Sequence, residues 1–187
     1  MEISDYKAFW NDKTNIMYGQ LKMIDLIKSR RDKPEFDFIV ETIKQYNIKT
    51  VLEIGCGAGI IYEVLKQNCK GLKYDGYDIA EKQIELFEIF HSKKVKTDLT
   101  KIKSKSYDLV FSHSVLMHIE LKHAKELFAK MQRIAKKVIL LNEFSTLDEQ
   151  FHKALAPFNF NHNYTDFEVF TEIKKHDFNR KSFLKVC

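Results

Sequence analysis

The feature that most constrains this chain is the stretch VLEIGCGAGI at residues 51–60, where an apolar run ends in glycines at every second position. Thr50–Ile54 reads as a buried strand, and Ile60–Gln67 as a helix with Ile61, Val64 and Leu65 turned inward. Between them stand Gly55, Gly57 and Gly59. Glycine tolerates left-handed backbone angles and has no Cβ, so such a loop lets main chain approach a ligand closely. The start of the following helix adds exposed N–H groups.

The strand–helix alternation continues downstream. Leu72–Tyr77 is expected as a strand, Ala80–Phe90 as a helix, Lys93–Thr97 as a short strand and Tyr107–Ser112 as a strand. Leu121–Ile134 follows as a helix and Lys136–Asn142 as a strongly buried strand. This order predicts an α/β fold: a doubly wound, mostly parallel sheet of six to seven strands with helices on both faces, a three-layer sandwich. Upstream, Asp32-Lys33-Pro34 marks a helix start, and Phe36, Ile39, Val40, Ile43 and Tyr46 keep helical period up to Asn47. Residues 5–30 are rich in apolar side chains, and their later part has helical spacing. In the tail, the capping-box pattern Thr165-Asp166-Phe167-Glu168 predicts a helix over Asp166–Lys175. Arg180–Val186 reads as a last strand, and a seventh strand is either missing or hidden in residues 158–162.

A chain of 187 residues suits one domain, 1–187, with residues 1–48 as a helical N-terminal lid or first-helix region. No apolar run spans a bilayer and the N-terminus lacks the pattern of a signal peptide, so a cytoplasmic location is expected. Three cysteines, none in a C-x-x-C pair, argue against a disulfide framework or a structural zinc. With no H-E-x-x-H pattern either, no metal is expected. A net charge of +5 is mild. The basic runs KSRRDK, HSKKVK and KIKSKS read first as solvated loops, with attraction of an anionic substrate as the functional alternative.

The glycine loop has two chemical readings. Dinucleotide enzymes use G-x-G-x-x-G with a pyrophosphate at the helix N-terminus. Here the spacing is G-x-G-x-G, and Glu53 precedes the first glycine by two positions. A carboxylate there is awkward for a diphosphate and suits an ammonium. No G-K-[ST] follows, which excludes a P-loop. Asp78 ends the second strand 19 residues after Gly59 and offers two oxygens for the hydroxyls of a ribose; it also suits an N-cap before AEKQIELF. Asp98-Leu99 places a further acid beyond the next expected strand.

With these motifs in order between Thr50 and Asn142, the chain resembles the class I S-adenosylmethionine-dependent methyltransferases. The resemblance implies a Rossmann-like fold, S-adenosyl-L-methionine as cofactor and S-adenosyl-L-homocysteine as product. It assigns Glu53 to the cofactor's amino group, and Gly55, Cys56, Gly57 and Gly59 to the loop around its methionine part. Cys56 is taken as a small residue of that loop, not a nucleophile. Asp78 with Ile79 is matched to the ribose side, and Asp98 with Leu99 to the adenine. Ser112 and His113 end the next strand beside the transferable methyl, and His118 lies in the segment after it.

An in-line transfer depends on alignment, and a hydroxyl acceptor also needs a base. His113, His162 and Tyr164 are the catalytic candidates. The alternatives are a backbone contact for His113 and an aromatic packing role for the His162–Tyr164 loop. Asn142-Glu143 is a candidate acceptor contact. Tyr6, Phe9, Trp10, Tyr18 and Arg30-Arg31 serve either a lid or the core. No recognition domain for a large acceptor is evident, so a small molecule, anionic or sugar-like, is expected to receive the methyl on O or N, with no membrane or nucleic-acid partner. RNA or protein methylation, and a non-catalytic cofactor-binding protein, are the competing readings. An NAD-dependent oxidoreductase is disfavoured by the tight glycine spacing and Glu53.

Overall fold

The computed structural model describes residues 2–18, 34–144, 160, 162–167, 170–176 and 180–187. The chain groups into two compact units, Met1–Leu99 and Thr100–Cys187. The fold is α/β, with six strands forming a mixed sheet.

In the first unit, α1 (Ile3–Tyr18) packs on α4 (Glu81–His91). Tyr6 is buried there, Lys7 Nζ reaches Glu81 at 2.6 Å, and Asn11 Oδ1 accepts from the Lys82 N–H at 3.1 Å. Helix α2 (Pro34–Gln45) starts at the expected proline and buries Phe36, Ile39, Val40 and Ile43. It stops because Asn47 turns left-handed (φ 47°) and the Ile48 N–H bonds back to the Ile43 carbonyl at 2.9 Å. β1 (Thr50–Ile54) pairs in parallel with β2 (Lys73–Tyr77), and α3 (Ile60–Asn68) connects them. Leu21, Ile24, Leu26, Ile27 and Arg30-Arg31 lie outside the described residues.

The strand expected over Lys93–Thr97 is reduced to one parallel bridge between Tyr77 and Lys96. Val95 is the only large apolar side chain there, too little to fill a strand buried on both faces. Lys93 and Lys96 instead pair with Asp75 at 3.5 and 3.6 Å, and Lys94 with Glu88 at 2.6 Å.

In the second unit, β3 (Tyr107–His113) pairs in parallel with β4 (Ala135–Phe144) through α5 (Leu121–Ile134). β4 pairs antiparallel with β6 (Arg180–Val186), and β6 antiparallel with β5 (Glu172–Lys175). The helix expected over Asp166–Lys175 is therefore a correction. The described part of that segment is a short turn at Tyr164–Asp166 followed by strand β5. Its capping residues close the turn instead: Thr165 Oγ1 donates to Asn163 Oδ1 at 2.8 Å, and Asn163 Nδ2 to Asp166 Oδ1 at 2.9 Å. Pairing with β6 outweighs the local helix signal, as tertiary context commonly does. Of the 158–162 stretch, residues 158, 159 and 161 lie outside the described residues, and Phe160 and His162 are not in a strand.

Candidate cofactor and acceptor sites

In the first unit the glycine loop is held by backbone. The N–H groups of Gly55 and Cys56 both donate to the Tyr77 carbonyl, at 2.7 and 3.1 Å, and the Gly59 N–H to the Cys56 carbonyl at 3.0 Å. Gly55, Gly57 and Gly59 all take positive φ, at 70°, 52° and 90°. At Gly59 the need is doubled. A Cβ there would stand 2.3 Å from His91 Nε2 and 2.8 Å from Phe87 Cδ2, so α4 packs directly on the loop. His91 also fastens that loop: its Nε2 lies 3.0 Å from the Ala58 carbonyl and its Nδ1 3.1 Å from Glu63.

Two buried carboxylates flank the loop. Glu53 accepts the Tyr74 hydroxyl. Burial pushes its pKa up from 4.5 to about 8, against the pull of that hydrogen bond, and the nearby Asp78 charge adds to the rise. Asp78 takes the Gly57 N–H on Oδ2 at 2.8 Å and the Ile79 and Ala80 N–H groups on Oδ1 at 2.7 and 2.9 Å. Burial raises its pKa, and these three donors oppose the rise. Oδ1 thus has both lone pairs engaged, and Oδ2 keeps one for a further donor.

Cys56 is buried in the loop. Its thiol is pushed well above the ordinary range, first by burial and then by the Asp78 and Glu53 charges. A thiol that resists ionisation is a poor nucleophile. Its place explains Gly76, where a Cβ would meet Cys56 Sγ at 2.6 Å. Asp98 is half-exposed, and its charge helps raise the Tyr77 pKa to about 12, after burial and Asp78; Leu99 is buried.

Two buried carboxylates and three left-handed glycines suit a ligand carrying an ammonium and a diol. A buried, unpartnered oxygen, Oε1 of Gln83, lies beside Gly57.

The second unit assembles a different polar centre. The antiparallel register sets the start of β6 beside the end of β4, with Arg180 opposite Phe144 and Ser182 opposite Asn142; His113 on β3 also lies opposite Asn142. Glu143 is fully buried. It accepts the Ser112 hydroxyl at 2.7 Å and the Val115 N–H at 3.0 Å, which fastens the segment after β3. Burial raises its pKa, and these donors with the Arg180 charge restrain the rise.

Arg180 donates to the Asn142 carbonyl at 3.2 Å and to Ser114 Oγ at 2.8 Å, and its guanidinium lies 4.0 Å from the Phe144 ring centre. Its Nη1 is 3.4 Å from His113 Nδ1. A guanidinium only donates, so Nδ1 is the accepting nitrogen of His113. His118 is buried in the short turn that follows β3.

His162 and Tyr164 sit in an aromatic cluster with Phe160, Phe167 and Phe183. His162 Nε2 donates to the carbonyls of Leu116 and Ile119, at 3.1 and 2.7 Å, and burial lowers its pKa. Tyr164 is 1% exposed, and its hydroxyl has no partner. Burial and the Glu143 charge hold that phenol protonated far above neutral pH. It is a hydrogen-bond donor, and a poor base.

Arg180 is the main functional candidate that sequence reading missed. Its signal was faint: a cation at the first position of a strand that returns antiparallel beside the parallel strands' carboxyl ends. Gln83 was read only as part of the helix expected over Ala80–Phe90, and His91 only as the start of the basic run HSKKVK.

Residues 52–138 match the family described as Methyltransferase domain. No curated protein sequence matches the chain. Among solved structures, the magnesium protoporphyrin IX methyltransferase of Synechocystis PCC 6803 with bound SAM aligns over 98% of this chain and 95% of its own, at 16% identity and TM-score 0.67. A SAM-dependent methyltransferase from Archaeoglobus fulgidus aligns over 74% of this chain and 71% of its own, at 22% identity and TM-score 0.56. One from Aquifex aeolicus aligns over 87% and 97%, at 14% identity and TM-score 0.57. At these identities the likeness to solved structures shows the fold.

Proposed function

We propose that this chain is a class I S-adenosylmethionine-dependent methyltransferase and that it methylates an O or N atom of a small, anionic or sugar-like molecule. The observation that carries the acceptor reading is the buried Tyr164 hydroxyl, which has no partner. A donor of this kind suits an acceptor rich in oxygen atoms.

On the cofactor side, Glu53 would hold the amino group, Asp78 the ribose hydroxyls and Asp98 the adenine. The cofactor, once bound, supplies an electrophilic methyl on a sulfonium. The chain's own work is then alignment and proton handling. His113 is the base of this reading: Nδ1 carries its lone pair, and it must leave Arg180 Nη1 to take a proton. Tyr164 stays protonated and orients the acceptor as a donor. His162, with Nε2 engaged on two carbonyls, anchors the turn after β3.

RNA is the weaker acceptor. Lys93, Lys94 and Lys96 of the basic run at 91–96 are paired with Asp75 and Glu88, so that run offers less free charge to a phosphate backbone. The test is a methyl-transfer screen with isotopically labelled cofactor against carboxylates, phosphorylated sugars, nucleotide sugars and RNA. The expected result is label in a small oxygen-rich acceptor, lost in His113→Gln. Label found only in RNA contradicts it.

A further inference from the structure

Among the described residues, two buried side-chain atoms have no hydrogen-bond partner: Tyr164 Oη and Gln83 Oε1. The second belongs to no assignment made above. Gln83 lies in the first turns of α4, 6% exposed. Its Oε1 is 3.3 Å from the point where a Cβ on Gly57 would stand, so the amide occupies the space that this glycine leaves open. The N–H of the same glycine is held by Asp78 Oδ2 at 2.8 Å. Gln83, Gly57 and Asp78 therefore form one contiguous patch.

A buried carbonyl oxygen without a donor costs stability, and native proteins leave few of them. A ligand that brings a donor removes that cost on binding. Asp78 has two oxygens, but three backbone N–H groups already occupy part of their capacity. A ribose presents two adjacent hydroxyl donors, and a second acceptor beside Asp78 would separate them.

We propose that Gln83 completes the diol receptor: its Oε1 accepts one ribose hydroxyl of the cofactor while Asp78 accepts the other. This rests on the cofactor reading given above. It makes Gln83 a binding and specificity residue for the ribose.

The test replaces Gln83 with methionine, which keeps the length and removes the acceptor. Wild type and Gln83→Met are titrated by calorimetry with S-adenosylhomocysteine and with 5′-methylthioadenosine, which keeps the ribose and adenine but lacks the amino-acid end. The expected result is about a tenfold loss of affinity for both ligands in the variant, the size of one lost hydrogen bond. The ligand-free variant should melt at the wild-type temperature or above it, because an unpartnered buried oxygen has been removed.

Equal affinity of both proteins for S-adenosylhomocysteine overturns the proposal. So does a loss confined to S-adenosylhomocysteine, which would put Gln83 at the amino-acid end. A lower melting temperature of the ligand-free variant, with the ligand-induced gain intact, would make Gln83 structural. If wild type binds neither ligand, the cofactor reading itself has failed, an outcome separate from the others.

Discussion

The glycine-loop half and the polar centre of the second unit are built in opposite ways. The first is a backbone device. Its loop is shaped by left-handed glycines and hydrogen bonds to the Tyr77 carbonyl, and its carboxylates lie within 25 residues of each other, at Glu53 and Asp78. The second is a side-chain device. Glu143, Arg180, His113 and Tyr164 come from four separate segments and meet through strand pairing. A backbone device demands particular residue types at fixed spacing. A side-chain device demands only that distant positions carry complementary groups.

The sharpest way to break the comparison is at Gly59. Gly59→Ala puts a Cβ 2.3 Å from His91 Nε2 at φ 90°, so strain and overpacking add. A loss of about 3 kcal/mol or more is expected in denaturant unfolding. Gly71→Ala is the control. It has a similar φ of 79° and nothing within 4 Å, so only the backbone term, about 1 kcal/mol, should appear. Equal losses at the two sites would show that α4 does not press on the loop.

In the second unit, Arg180→Met removes the donor to Asn142 and Ser114 and the cation that restrains Glu143. A loss of about 2 kcal/mol is expected by the same unfolding measurement. A neutral result would mean that the centre is not held by its arginine.

A pH effect is expected at Glu53. Its folded pKa of about 8 lies above the ordinary 4.5, so between these values the folded protein holds a proton that the unfolded chain releases. Ligand-free stability contributed by this group therefore falls as pH rises from about 4.5 through about 8. An ammonium beside Glu53 requires its ionised form. Cofactor affinity should then rise with pH up to about 8, by as much as about tenfold per unit, with proton release visible in calorimetry in different buffers. Glu53→Gln should flatten this profile; an unchanged profile would remove Glu53 from the amino-group role.

The smallest effect is expected at Tyr164. Its hydroxyl has no partner, so Tyr164→Phe should change stability by less than about 0.5 kcal/mol while raising the KM of the acceptor. A large stability loss would show that the hydroxyl serves the fold.

The same contrast explains what was legible in the sequence. β1, α5 and β6 fall on their expected residues, because their apolar periods agree with the packing around them. Glu53, Asp78 and the three glycines could be read because backbone geometry dictates residue type. The Asp166–Lys175 segment was misread because its cap is local while its partner, β6, lies beyond it in the chain. Lys93–Thr97 was overread because alternation alone does not supply a buried face. Arg180 and Gln83 stayed hidden for one reason: each gains meaning only from a neighbour that folding brings to it, Glu143 for the first and Gly57 for the second.

The loop from Glu53 to Gly59, with Asp78, is proposed to hold the sulfonium cofactor. Titration calorimetry of S-adenosylhomocysteine into wild type and Asp78→Ala tests it most directly. Saturable one-site binding by wild type is expected, with a loss of at least about tenfold in the variant, in which the ribose loses its carboxylate. Equal affinity of the two proteins, or no binding by wild type, would contradict it.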